Sequence, residues 1–255
     1  VISTRQEAPG RWVAVGDDGV VAGELRVFVR PDGRRFALFG PSSDAVVGAL
    51  LEAALAAVDG DLRVEAGADD AARLALLTGH GFAVDRREHV YAVPTRRLGV
   101  DVEPPDGFGL RSAADVDLER FRLLDEALRR DVPGVGEWRN EPAAFGRETF
   151  DDPQFDPATY LIAVDGSTGG YVGLVRVWVR TTGPRLGLIG VLPEYRGRGL
   201  ARALVGAVLD VLHKRGEAEV VCEVDETNAA SNALMAGFGA RRIGGNIELS
   251  WRRRR

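Results

Sequence analysis

The run Tyr195-Arg196-Gly197-Arg198-Gly199-Leu200-Ala201-Arg202 brings three guanidinium groups and two glycines together ahead of a patterned stretch. In that stretch Leu200, Ala203, Leu204, Ala207, Val208, Val211 and Leu212 recur at the spacing of a helix with one buried face. The first turn of such a helix has unpaired backbone N–H groups and a partial positive charge, and the two together favour an anion. Gly197 and Gly199 have no Cβ to hold a ligand off, so the peptide groups from Gly197 to Arg202 can approach a phosphate closely while Arg196, Arg198 and Arg202 add charge. The pattern reads as a diphosphate cradle. A Walker A loop is excluded because the sole lysine, Lys214, comes too late in the chain. A dinucleotide fingerprint fits poorly, because Arg202 stands where the third glycine belongs.

What remains is R-x-x-G-x-A (Arg196, Gly199, Ala201), preceded by V-x-P (Val191, Pro193). This resembles the acyl-CoA-binding motif of the GNAT superfamily of N-acyltransferases. Further on, Asn228-x-x-Ser231 resembles the superfamily's N-x-x-[AS] element, and the resemblance extends from Phe108 to Trp251. It implies acetyl-CoA (coenzyme A) as cofactor, its diphosphate on Arg196 to Arg202 and its pantetheine arm beside Asn228 and Ser231. It also implies transfer of an acetyl group to a small-molecule or peptide amine by direct attack.

A protonated amine with a pKa of ~10.4 is neutral in only about one molecule in a thousand near pH 7, so a base is expected. Glu223 lies five residues before Asn228, where the ribosomal-protein alanine acetyltransferases of this superfamily carry a catalytic glutamate; the resemblance makes it the candidate base. The alternative is a sheet-face glutamate paired with an arginine. Seven residues after Asn228, where many members have a tyrosine taken as the general acid, stands Met235, which has no proton to donate. That departure keeps open a non-catalytic acyl-CoA-binding or regulatory module. Cys222, with no histidine partner evident, reads as a small buried hydrophobe. Asp131, Glu137, Trp138, Glu141 and Trp178 have side chains suited to a cationic or ring-bearing amine, without a pattern that assigns any of them.

These groups need elements to hold them. The apolar run Leu186 to Leu192 reads as a buried strand ended by Pro193, and Glu219 to Asp225 as a second strand. If the two splay apart, the backbone of Ile189, Gly190 and Val191 is left free to pair with the amide-bearing pantetheine like an added strand. Upstream lie a strand at Phe108 to Ser112, helices at Asp117 to Arg130 and Glu141 to Phe150, and strands at Thr159 to Val164 and Tyr171 to Arg180.

The first part of the chain, read from Arg11, repeats the second. Gly19 to Arg30 aligns with Gly169 to Arg180 at an offset of 150, and Asp70 to Leu77 with Asn228 to Met235 at 158. The net loss of eight residues spans the cradle. There Pro41-Ser42-Ser43-Asp44 replaces the glycine-arginine turn, and an aspartate at a helix start repels phosphate. The first copy also lacks a counterpart to the long first strand and two helices that occupy Phe108 to Phe150. The expected architecture is therefore α/β, a mixed α+β sheet in two GNAT-like domains. A truncated, degenerate copy occupies 1–97, a Pro- and Gly-bearing linker 98–107, and the acyltransferase domain 108–255. The tandem is similar to mycothiol-synthase-like proteins of the same superfamily.

Composition bounds the rest. A net charge of −5 over 255 residues gives no basic footprint for nucleic acid, and the terminal arginines read as a solvated tail. One cysteine permits no intrachain disulfide, and His80, His89 and Cys222 are too scattered for a metal cluster. No apolar run is long enough for a membrane span and no leader is visible, so the expectation is a cytoplasmic protein.

Overall fold

A computed structural model describes residues 2–96 and 103–253, so part of the expected linker and the last two arginines lie outside the described residues. The chain divides into two compact units, one of 1–88 with 244–255 and the other of 89–243. This differs from a cut at a single linker. The strand Ala83–Pro94 starts in the first unit and ends in the second, and Arg241–Trp251 does the reverse.

In the first unit β1 (Ser3–Ala8), β2 (Arg11–Val15), β3 (Val21–Val29) and β4 (Arg35–Phe39) pair antiparallel in succession. Helix α1 (Asp44–Ala57) leads to β5 (Leu62–Gly67), which runs parallel to β4, and α2 (Ala71–Gly79) leads into β6 (Ala83–Pro94). The far edge of β5 is filled from the other end of the chain, with Asn246 to Trp251 antiparallel to it. Trp12, Leu25, Leu50, Leu51, Leu62, Leu77 and Leu249 close the core on the helix side. β1 corrects the sequence reading: the first copy does have a counterpart of the second's first strand, joined to β2 by the tight turn at Gly10 (φ +73°). Exposed on nearly every residue, β1 carries no apolar alternation to betray it.

The second unit contains β7 (Phe108–Ser112), α3 (Leu118–Arg130), α4 (Pro142–Phe150), β8 (Tyr160–Asp165), β9 (Tyr171–Arg180), β10 (Gly183–Val191), α5 (Leu200–Lys214), β11 (Glu219–Asp225) and α6 (Ala229–Gly237); β12 (Arg241–Trp251) leaves it. β7 to β10 pair antiparallel in order, β11 joins β10 in parallel, and the end of β6 lies beside β11, where Thr95 N–H donates to Ala218 O at 3.1 Å. Two cores cover the two faces. Leu204, Val205, Val208 and Leu212 of α5 pack with Val220, Cys222 and Met235 on one; Phe121, Leu124 and Leu128 of α3 pack with Tyr160, Leu174 and Leu188 on the other. Asp117 caps α3 by accepting from Arg120 N–H, and Glu141 caps α4 by accepting from Ala144 N–H at 2.8 Å. Only this unit has helices between its first two strands, and they supply one wall of the site.

Candidate functional site

β10 and β11 are paired only at Arg185↔Val221 and Leu186↔Cys222. Beyond that point they part. At the fork β10 carries a bulge between Leu186 and Leu188, and the residue inside it has no alternative to glycine: a Cβ on Gly187 would lie 1.6 Å from the Trp178 ring. Past the bulge, Leu192 N–H donates to Val172 O at 2.9 Å. By the alternation of an antiparallel ladder, Gly190 and Leu192 then turn their peptide groups to β9, while Ile189 and Val191 turn theirs into the gap. Gly190 therefore has a different task from the one expected of it. A Cβ there would stand 3.0–3.2 Å from three Leu128 atoms, so the glycine lets α3 lie close over the strand.

The gap opens into a cleft of about 740 Å³. Its lining includes Ile189, Gly190, Val191, Arg196, Gly197, Gly199, Leu200, Ala201, Arg202, Asn228 and Ser231, together with Leu128, Asp131, Val132 and Pro133 from the end of α3 and Thr227 before α6. Gly197 (φ +74°) and Gly199 (φ +87°) occupy the left-handed region that the turn requires, and around a Cβ at Gly197 there is open space. The first helical bond of α5 is Ala203 N–H to Gly199 O at 3.0 Å, so the amides of the preceding turn are left for an outside acceptor. On these observations the lining fits a diphosphate.

The three arginines behave differently. Arg196 donates through Nε to Val191 O at 3.0 Å and pairs with Asp131, which steadies the turn against β10 and fixes the α3 end of the cleft. Arg202 lines the cleft with its guanidinium 5.7 Å from the Phe238 ring. Arg198 lies outside the lining, donating to Glu194 O at 3.2 Å above the Tyr195 ring. Asn228 accepts from Ser231 N–H at 3.1 Å and so caps α6 at the cleft's other wall.

Glu223 is the first β11 residue beyond the last paired register and lies outside that cleft. It lines a smaller opening of about 340 Å³ with Arg180, Arg185, Glu217 and Glu219, and Arg185 grips it at two points, 3.0 and 2.6 Å. The guanidinium groups of Arg176 (4.6 Å) and Arg185 (5.1 Å) both lie over the Trp178 ring. Other residues have structural duties. Trp138 donates to Asn140, Glu141 caps α4, and Glu137 forms an exposed pair with Arg139. Met235 is buried with its sulfur 3.4 Å from Cys222 Sγ, and burial pushes the Cys222 thiol up to about 12, which removes it as a nucleophile. The Tyr171 hydroxyl accepts from Asp117 N–H and that of Tyr195 donates to Asp165. Tyr160 is buried, its ionisation pushed upward by burial and then by the nearby Asp125 carboxylate. Among the described residues no cluster suits a metal ion, and no helix is long and apolar enough to cross a membrane.

Residues 124–240, which contain the fork, the cradle and α6, match the model of the acetyltransferase (GNAT) family. Mycothiol acetyltransferase of Stackebrandtia nassauensis is 32% identical over 238 residues, 88% of this chain and 72% of that protein. The chain belongs to the GNAT acetyltransferases. Mycothiol acetyltransferase of Salinispora arenicola is 33% identical over 209 residues, a match that spans 78% of this chain and 66% of that protein's length. A tandem GNAT protein from the clavulanic acid biosynthesis pathway superposes with a TM-score of 0.69 at 19% identity, covering 95% of this chain and 82% of its own. The fold is thus the α/β mixed-sheet GNAT fold in tandem arrangement, with an N-terminal GNAT-like extension.

Among the cleft residues, sequence reasoning missed Leu128, Thr227, Ala229, Ala230, Ala233 and Leu234. Gly190 was the available signal for Leu128, because a glycine inside a strand marks the close approach of a neighbour.

Proposed function

We propose that this GNAT enzyme transfers an acetyl group from acetyl-CoA to an amine by direct attack, with the coenzyme in the cleft of β10, α5 and α6. The observation that carries this is the parting of β10 and β11 one residue before Glu223, which opens a strand edge running straight to the free amides of α5. In this reading Gly197 to Arg202 hold the diphosphate, with Arg202 as the available side-chain cation and Arg196 as a brace for the turn. Ile189 offers its peptide groups and Val191 its N–H to the pantetheine, the Val191 carbonyl being held by Arg196, and Asn228 and Ser231 form the facing wall. When bound, acetyl-CoA supplies the acetyl group as an activated thioester. Glu223, at the fork, takes the proton from the incoming amine, and Arg185 holds its carboxylate in place. No acid is assigned: a thiol of pKa ~8.5 leaves as thiolate near pH 7 at a cost of only about 2 kcal/mol.

The acceptor is taken to be a small molecule, a reading supported by likeness to proteins named mycothiol acetyltransferase. Cys222, the single buried cysteine, suits a reducing compartment, and we place the protein in the cytoplasm. The first copy is assigned a packing or substrate-shaping role. Its α1 starts with Asp44, already paired to Arg73, where the second copy has the glycine-arginine turn.

The test is calorimetry with acetyl-CoA and a free-thiol release assay over an amine panel, on wild type, Gly199→Ala and Gly199→Glu. Left-handed strain is common to both variants and the added charge belongs to one. Gly199→Glu is expected to weaken binding at least about ten-fold more than Gly199→Ala. Equal affinity of the two variants refutes the cradle; saturable binding without amine-dependent thiol release leaves a coenzyme-binding module.

A further inference from the structure

The asparagine that holds the α6 wall is itself held by a tyrosine on β6. Asn232 Nδ2 donates to Asp225 O and to Asn228 O, both at 2.9 Å, and so spans the turn from β11 into α6. With two carbonyls on its nitrogen, the amide has only one way to face, and its Oδ1 accepts from the Tyr91 hydroxyl at 2.9 Å. Tyr91 lies on the end of β6, packed against the α5–α6 core and edge-on to His89. The chain of bonds therefore runs from Tyr91 through Asn232 to Asn228, whose side chain caps α6 at Ser231. Asn228 and Ser231 line the cleft.

The repeat supplies an internal control. At the offset of 158 that aligns α2 with α6 and β6 with β12, Asn232 corresponds to Leu74 and Tyr91 to Leu249. Both leucines join the apolar core of the first unit. The same two positions thus carry a hydrogen-bonded polar pair beside the cleft and two apolar residues in the first unit, whose α1 starts without the glycine-arginine turn. If the pair served only to seat a helix on a sheet, two leucines would do, as they do in the first unit.

We propose that Tyr91 is a positioning residue for the coenzyme site: through Asn232 it fixes the Asn228–Ser231 turn. This rests on the reading of the cleft as the acetyl-CoA site. It extends the second unit's site to the end of β6, 141 positions before Asn232.

The test compares wild type, Tyr91→Phe and the double variant Tyr91→Leu/Asn232→Leu in calorimetry with acetyl-CoA, steady-state kinetics and thermal unfolding. Tyr91→Phe keeps the ring and removes one hydrogen bond, so the Kd and KM for acetyl-CoA should rise about five-fold with kcat changed less than two-fold. The double variant should unfold at or above the melting temperature of Tyr91→Phe, as the Leu74–Leu249 pair of the first unit implies, and yet bind acetyl-CoA no better than Tyr91→Phe. Unchanged Kd in Tyr91→Phe overturns the proposal, and so does recovery of wild-type Kd in the double variant, which would make the pair a packing device alone. Failure of the wild type to bind acetyl-CoA refutes the reading of the cleft instead, and is seen before any variant is compared.

Discussion

Replacing Gly190 with alanine is expected to push α3 off β10. The new Cβ would stand 3.0, 3.1 and 3.2 Å from Leu128 Cδ2, Cβ and Cδ1, against a comfortable carbon–carbon separation of about 3.5–4.0 Å. A rotamer change moves the two methyl groups, but Leu128 Cβ is fixed by the α3 backbone, so part of the clash is relieved only by shifting the helix. Overpacking of this kind costs about 1–3 kcal/mol, and the gain from restricting the unfolded chain offsets about 0.4–1 kcal/mol of it, so Gly190→Ala should destabilise by about 1–2 kcal/mol. Leu128→Ala alone should cost about 2–5 kcal/mol, because Leu128 is buried in the core under α3. In the double variant two of the three close contacts vanish and the new methyl occupies part of the space, so it should be more stable than the sum of the singles by about 1 kcal/mol. Urea unfolding of the four proteins measures this coupling. Additivity within about 0.5 kcal/mol would refute the claim that Gly190 exists to admit Leu128.

Glu223→Gln should lower kcat by about 10²–10⁴ while leaving the acetyl-CoA Kd unchanged, since the carboxylate lines the opening beyond the fork and not the coenzyme cleft; a kcat within two-fold of wild type would reduce Glu223 to the partner of Arg185. Cys222 should resist a thiol reagent at pH 8 in the folded protein and react at once in urea. Its folded value, raised by burial from the ordinary 9.0 to about 12, means that its contribution to stability is present below about pH 9 and is lost as pH rises toward 12. Urea unfolding at pH 8 and 10.5 should show that decline in wild type and a smaller one in Cys222→Ala; equal declines would refute the linkage.

The repeat, the glycine-arginine turn and the amphipathic α5 were legible because each is local. A helix period, a left-handed turn and a missing Cβ are written within a few residues of one another, and Gly197 and Gly199 do take the positive φ their setting demands. The family followed from the same residues. What lay out of reach depends on which element neighbours which. Alternation in β10 names two faces and says nothing of the sheet edge, so only the register with β9 decides that Ile189 and Val191, and not Gly190, turn toward the gap. Nothing local in β6 or β12 says which unit either closes, and the pairing of Asp131 with Arg196 and of Tyr91 with Asn232 joins residues 65 and 141 positions apart. Local sequence fixes a residue's conformation and its need for burial; the partner that meets that need is chosen by packing across the whole chain, and the cleft is made of such partners.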